Sequence, residues 1–339
     1  MQLPPVPRFS IIIPVYNRLL FTTICVRSLI AVADHWDECE VILVDNGSTD
    51  GTAAFLATLG PPFRVISNAQ NLGFARACNQ GAAAARGDYL IFLNNDTVPQ
   101  PGWLAALAAA MARQVAPAVV GGRLLFPDDT IQHAGLGFNA RHEPVHLFYG
   151  EAADSAARQS RAVPAVTGAC LMVGRERFLT AGGFDEGYMN GFEDLDFCCR
   201  VREAGGAVWY EAGSIAYHFE SASDGRYRSD VANAERFQER WGDWLAADAL
   251  AHASAVAAQV PVRLKRTYAT SADMRRELDR VIDDAMAYRE EFERLRELYD
   301  RSTEAFARQA EWIHALEEDA RRVRDRNRLK RLVGRLLHM

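Results

Sequence analysis

Short apolar runs rich in β-branched residues recur through the first hundred positions, at residues 9–14 (FSIIIP), 40–44 (EVILV), 63–66 (FRVI) and 88–93 (DYLIFL), each bounded by turn residues. Runs of this length without polar alternation predict strands buried on both faces. Between them, about residues 18–33, 51–59 and 73–86 have helical character. Strand and helix therefore alternate, which predicts an α/β domain with a parallel sheet flanked by helices on both faces. Ligands of such sheets bind beyond the carboxyl ends of the strands, so the loops after Pro14, Val44, Ile66 and Leu93 are expected to line one crevice. Those loops carry Tyr16-Asn17, Asp45-Asn46-Gly47-Ser48, Asn68 to Gly73, and Asn94-Asn95-Asp96.

From about residue 117 to 245 the rhythm changes to mixed strands and loops, with helices near 193–204 and 230–244, the second ending in Trp241 and Trp244. These residues are read as the other half of one domain spanning 1–245. The alanine-rich stretch 246–273 has no clear period and is expected to be a linker. Over 274–339 the period becomes seven. Leu278, Ala285, Phe292, Tyr299, Phe306, Ile313 and Ala320 form one column, and Val281, Tyr288, Leu295, Leu316 and Val323 a second, interrupted by Ser302 and Gln309. Such columns predict a helical coiled-coil tail and a homo-oligomer; a single long helix packed on its own domain is the plainer alternative. The final RRVRDRNRLKRLVGRLLHM holds eight Arg or Lys against one Asp. A basic amphipathic end of this kind suits peripheral contact with anionic lipid, or a solvated helix terminus.

Composition narrows the class. With 339 residues, 49% hydrophobic and 24% charged, the chain has material for a large core. A net charge of −6 disfavours a nucleic-acid partner. The six cysteines fall at irregular spacings, as reduced thiols in a cytoplasmic protein do. The opening MQLPPVPRFS lacks a basic segment followed by an apolar one, and no run approaches the ~18 apolar residues of a membrane span, so a cytoplasmic location is expected.

Several carboxylates sit where chemistry needs them. Asp45 ends a buried run and opens the turn DNGSTDGT, in which Asp50 or Thr49 is placed to cap the next helix. A carboxylate at Asp45 can accept the imide N–H of uracil or thymine; it is equally a common turn former. Asp96 follows the run DYLIFL, and a hard oxygen ligand there suits Mg²⁺ or Mn²⁺ shared with substrate phosphates. In GFEDLDFCCR, Glu193, Asp194 and Asp196 occupy the first turn of an expected helix. Acids there often only complement the helix dipole, but one facing the crevice can act as a general base. His218, in AYHFES, is a candidate further metal ligand. Two other motifs are set aside. His142-Glu143-Pro144-Val145-His146 matches the zinc-protease pattern but contains a helix-breaking proline. Gly135-Leu136-Gly137-Phe138-Asn139-Ala140 fits a dinucleotide fingerprint but lacks a preceding buried strand.

Taken together and in order, SIIIPVYNR, VDNGSTDGT, NLGFARACNQG, YLIFLNNDTVP, VTGACLMV, GGFDE and GFEDLDFCCR resemble a family 2 glycosyltransferase of the GT-A fold. GGRLLFPDDTIQHAG is similar to the rhamnosyltransferase-like branch that builds bacterial surface polysaccharides. The resemblance implies a Rossmann-like mixed sheet flanked by helices, and inverting transfer from a UDP- or dTDP-sugar, dTDP-rhamnose among them, to a hydroxyl of a glycan or lipid-linked acceptor at the inner face of the cell membrane. By position it implies Pro14, Tyr16 and Asn17 as the first nucleotide-contacting loop, and Asp45 as reader of the base. Asn71, Gly73 and Asn79 match the second nucleotide-side loop, and Asn95 falls toward the ribose. Asp96 matches the metal-binding aspartate, with His218 in support and Mg²⁺ or Mn²⁺ as cofactor. The usual Asp-x-Asp is here Asn94-Asn95-Asp96, which leaves Asp96 the main protein ligand. Glu193-Asp194 matches the acidic pair holding the base, with Asp194 preferred. Thr167, Gly168 and Ala169 match a segment lining the donor-sugar and acceptor pocket. Rival readings are a sugar nucleotidyltransferase, for which PVYNRLLFT lacks a glycine-rich phosphate loop, and an inactive nucleotide-binding scaffold built around the coiled coil.

Overall fold

The computed structural model describes residues 7–32, 36–113, 118–139, 143–153, 156–219 and 230–256. The first half runs β1 (Phe9–Val15), α1 (Leu19–Ala31), β2 (Cys39–Asp45), α2 (Thr52–Leu56), β3 (Phe63–Ser67), α3 (Phe74–Ala84), β4 (Tyr89–Leu93), β5 (Thr97–Pro99) and α4 (Trp103–Met111). The second half adds β6 (Val119–Leu125), β7 (Ile131–His133), β8 (Leu136–Phe138), β9 (Pro144–His146), β10 (Arg161–Ala162), β11 (Cys170–Gly174), α5 (Arg175–Thr180), α6 (Glu193–Glu203), β12 (Val208–His218) and α7 (Asp230–Val256).

The predicted alternation is present, and β1 pairs in parallel with both β2 and β4, and β2 with β3. The 10-stranded sheet has the order β10-β12-β6-β11-β4-β1-β2-β3, with β5 on β12 and β7 on β6. β11 is antiparallel to β4 and β6, so the parallel half continues into a mixed one. Side chains of a strand alternate between faces. In β1, Ile12 joins a core with Phe92, Phe178, Phe184 and Phe197, while Ile11 and Ile13 join another with Cys25, Leu29 and Leu107. Burial on both faces explains why the run FSIIIPV has no polar period. The six cysteines are unpaired and buried among these elements.

Three expectations are corrected. The strand at residues 63–66 is not buried: β3 is the sheet edge, with Val65 40% exposed and Arg64 reaching Glu40 Oε2 at 2.8 Å. α2 stops at Leu56 rather than near 59, ahead of Gly60-Pro61-Pro62, where proline cannot continue a helix. The expected linker at 246–273 begins as helix, since α7 runs unbroken to Val256. Alanine has the highest helix propensity, so an alanine-rich stretch continues a helix that packing has already nucleated. The compact unit carrying the sheet ends at Val256. Residues 257–273, the predicted coiled coil at 274–339 and the predicted basic amphipathic end all lie outside the described residues.

α7 is held by buried polar contacts. Trp241 Nε1 donates to Asp196 Oδ1 of α6 at 2.9 Å. Asn233, 3% exposed, accepts from Met189 N and donates to the carbonyls of Met189 and Gly191. The loop that launches α6 is thereby fastened from both sides, because Phe74 N also donates to Asn190 Oδ1 at 3.1 Å. The two motifs set aside behave accordingly: β8 and β9 form an antiparallel pair, so neither the described part of the dinucleotide pattern, Gly135–Asn139, nor the Pro144–His146 half of the protease pattern enters a helix.

Candidate active site

The strand ends and the loop before α6 enclose a cleft of about 910 Å³. One wall, where the resemblance places the nucleotide, includes Pro14, Tyr16 and Asn17 after β1, Asn71 after β3, and Asn95 after β4. These loops are stitched together. Asn17 N donates to Ser48 Oγ at 2.8 Å, and Asn17 Oδ1 accepts from Thr49 N at 2.7 Å. Asp50 accepts from Thr52 N and, with its other oxygen, from Leu19 N, so it serves the starts of α2 and α1 together. Burial opposes ionisation of Asp50, but the Thr52 and Leu19 hydrogen bonds outweigh it and hold its carboxyl below the usual range.

Asn46, which the motif reading named only as part of a turn, organises the second loop. Its Nδ2 donates to Asn71 Oδ1 at 2.9 Å and to Gly73 O, while its Oδ1 accepts from Asn68 Nδ2 and Leu72 N. Gly47 makes the close approach possible: with φ +80°, a Cβ there would lie 2.7 Å from Gln70 Cα. Asp45 is 4% exposed, accepts from Ser48 N at 3.0 Å, and sits behind the cleft wall rather than in it. Gly73, φ +89°, donates to Asn71 Oδ1 and opens α3 without lining the cleft. Asn79 is also placed elsewhere. Its amide is paired in both directions with Phe184 N and O, at 2.9 Å each, so it fastens α3 to the loop after α5.

At the opposite wall the expected metal ligands meet. β5 pairs with β12 so that His218 lies opposite Thr97, which brings His218 Nε2 to 3.1 Å from Asp96 Oδ1. Gln132 sets the ring: its Nε2 donates to His218 O, so its Oε1 is the atom 2.6 Å from His218 Nδ1. Nδ1 therefore carries a proton, and Nε2, facing Asp96 Oδ1 and 3.2 Å from Asn94 Nδ2, presents a lone pair whenever the ring is neutral. An imidazole lone pair beside a carboxylate oxygen fits a cation. Among the described residues no group of three or more His, Cys, Asp or Glu is placed to hold a metal. A two-residue set fits an ion that completes its shell from substrate phosphates and water. Gln132 had no sequence signal beyond its place in TIQHAG.

The acids of α6 divide between cleft and core. Glu193 and Asp194 line the cleft with Thr167, Gly168 and Ala169. Asp194 Oδ2 accepts from Gly168 N at 2.7 Å and Oδ1 from Leu195 N at 2.8 Å; Glu193 Oε2 accepts from Gly191 N at 2.7 Å. Asp196 is fully buried against Arg200 and Trp241. The preceding Asn190 and Phe192 have φ of 55° and 73°, conformations uncommon for side-chain-bearing residues. That kink sets the start of α6 against the cleft.

A mixed sheet whose carboxyl-end loops build one cleft lined by Asp96, Asp194 and His218 is the architecture of a glycosyltransferase of GT-A fold. The chain belongs to glycosyl transferase family 2, whose family model matches residues 10–159. It is 30% identical over 209 residues to an N-acetylglucosaminyl-diphospho-decaprenol L-rhamnosyltransferase of Mycobacterium tuberculosis, covering 55% of this chain and 68% of that one. It is 35% identical over 232 residues to the O-antigen biosynthesis protein RfbC of Myxococcus xanthus, covering 64% of this chain and 18% of that protein. The chain thus spans less than a third of the length of some curated relatives. Among solved structures, a mannosyltransferase from Pyrobaculum calidifontis in complex with GDP-Man and Mn²⁺ matches with a TM-score of 0.53 at 19% identity, over 79% of this chain and 80% of that one. No helix among the described residues is long and apolar enough to cross a membrane.

Proposed function

We propose that this glycosyltransferase moves a hexosyl or deoxyhexosyl unit, such as rhamnose, from a UDP- or dTDP-sugar to a hydroxyl of a cell-surface glycan or a lipid-linked acceptor, with inversion. The observation that carries the reading is the convergence of Asp194, Asp96, His218 and the Pro14–Asn17 loop on one cleft. Inversion by direct displacement needs one base and no covalent intermediate. Asp194 takes the acceptor proton; its two backbone N–H donors fix the carboxylate without using all of its lone pairs. Glu193, tied to Gly191 N, holds the loop that presents Asp194. Asn17, Asn71 and Asn95 surround the nucleotide, and Asp45, behind that wall, sets the turn they rest on. Asp96 and His218 would hold Mg²⁺ or Mn²⁺, which when bound neutralises charge on the departing nucleoside diphosphate. The similarity to a relative named for rhamnosyl transfer and N-acetylglucosaminyl-diphospho-decaprenol supports a lipid-linked acceptor. Oligomerisation through 274–339 and peripheral membrane contact through its basic end complete the proposal.

The test is nucleotide release from UDP-, dTDP- and GDP-sugars with Mg²⁺ or Mn²⁺, with short-prenyl diphospho-N-acetylglucosamine as one acceptor probe. Turnover of one donor, lost in Asp194→Asn and Asp96→Ala, supports the reading. Failure of the folded wild type to bind any of these nucleotides sinks it.

A further inference from the structure

His146 belongs to none of the roles assigned so far. It lines the cleft from β9, the strand carrying the second half of the discarded protease pattern. Its Nδ1 lies 3.1 Å from Nδ1 of His133, the last residue of β7, which has no exposed surface. On the far side of the His133 ring, Thr167 N points at Nε2 at 3.5 Å. A backbone amide only donates, so His133 Nε2 accepts, and the single proton of the neutral ring lies on Nδ1. Burial keeps His133 neutral by pushing its pKa well below the usual range; the Arg161 charge, and any proton gained by His146 or His218, oppose its ionisation further. His133 Nδ1–H then donates to His146 Nδ1. The consequence is a fixed tautomer: His146 carries its proton on Nε2 and is an N–H donor there.

The same loop registers the base. Thr167 N faces His133, and the next amide, Gly168 N, donates to Asp194 Oδ2. Adjacent amides of one segment therefore key both the His133–His146 pair and Asp194. The wall they share is completed by Leu136 of β8 and by Val231 and Ala234 of α7, with Phe138 stacked on Phe237 at 6.0 Å to hold the β8–β9 hairpin against α7. The nucleotide-side loops after β1 and β3 stand on the other half of the sheet.

We propose that His146 is a positioning and specificity residue for the acceptor, donating from Nε2–H to a hydroxyl or ring oxygen of the acceptor sugar while Asp194 receives the proton of the attacking hydroxyl. His133 acts through it, as the residue that fixes its tautomer. The assignment rests on Asp194 being the base, which places the acceptor on this wall.

Two measurements test it. Long-range ¹H–¹⁵N spectra of the imidazoles of the full chain should give His146 as the Nε2–H tautomer at neutral pH; an Nδ1–H tautomer overturns the proposal, and this readout needs no substrate. With the acceptor probe that wild type glycosylates, His146→Ala should raise acceptor KM about 10-fold, the worth of one neutral hydrogen bond, while donor KM and donor hydrolysis stay within about 2-fold. His146→Gln, which keeps an N–H near the Nε2 position, should recover most of the loss. An unchanged acceptor KM in His146→Ala, or a rise in donor KM instead, overturns the proposal. Absence of nucleotide-sugar binding in wild type refutes the enzyme reading and leaves the tautomer measurement to decide the geometry by itself.

Discussion

Gly168 N donates to Asp194 Oδ2 at 2.7 Å, so a loop between β10 and β11 fixes a carboxylate in the first turn of α6. An amide at position 194 can offer only one carbonyl oxygen to the two backbone donors and cannot accept a proton. Asp194→Asn should lower kcat for transfer by about 10²–10⁴-fold, the usual contribution of a general base. Nucleotide affinity, measured by calorimetry, should change by less than about 2-fold, because the loops proposed to hold the nucleotide are built without Asp194.

Gln132 offers a sharper test of the proposed metal pair than Asp96 and His218 themselves do. It touches the His218 ring and sets its tautomer through both ends of its amide. Outer partners of metal-ligating histidines typically contribute 10–100-fold in metal affinity. Gln132→Ala should therefore raise the Mn²⁺ concentration giving half-maximal activity by about that factor, with kcat at saturating Mn²⁺ nearly restored. A variant indistinguishable from wild type in Mn²⁺ titration would remove His218 from the site.

What the sequence made legible was local. The run SIIIPV and the turn DNGSTDGT specify a buried strand and a tight loop from neighbours along the chain, and both occur where expected. The pairing of Asp96 with His218 was suggested by family position, but its physical cause is the β5–β12 register, which joins residues 121 positions apart through Thr97 and His218. Asn79 is held by a contact of the same long-range kind: its partner Phe184 lies 105 residues further on, and no local pattern announces it. The edge position of β3 is likewise a property of strand order, which its apolar composition does not encode. His146 escaped notice because its neighbours matched a helical motif that Pro144 forbids, and only the β8–β9 pairing turns it to the cleft.

Asp196 shows how the acids of α6 serve stability as well as chemistry. With no exposed surface, it accepts from Arg200 Nε at 2.8 Å and Trp241 Nε1 at 2.9 Å, with Arg240 Nη1 at 3.1 Å. Removing one partner of a buried ionic network leaves the others uncompensated, at about 3–5 kcal/mol. Asp196→Ala should show that loss in urea unfolding, whereas Trp241→Phe, which removes one donor and keeps an aromatic ring, should cost about 1–2 kcal/mol.

The far end of the sheet sets the acid limit of the fold. Glu40 of β2 is 2% exposed and accepts from Ser10 Oγ, the Arg86 amide, and the guanidinium groups of Arg64 and Arg86. Burial works against its charge, but the Arg86 amide, Ser10 and the two arginines overcome it and hold its pKa below the usual 4.5. A carboxyl depressed on folding binds its proton more weakly in the native state than in the unfolded chain. Its stabilisation is therefore complete above about pH 4.5 and is lost as pH falls through the lower native value. Asp50, Asp185 and Glu186 are depressed in the same direction, so unfolding free energy should fall below pH 4.5, where the glutamates contribute, and further below pH 3.8, where the aspartates do. Glu40→Gln should cost about 2 kcal/mol at pH 7, where the charge-assisted bonds are lost, and less at pH 3, where wild-type Glu40 is protonated. Parallel urea curves at the two pH values check this, and an equal cost at both would show that the Glu40 charge contributes nothing.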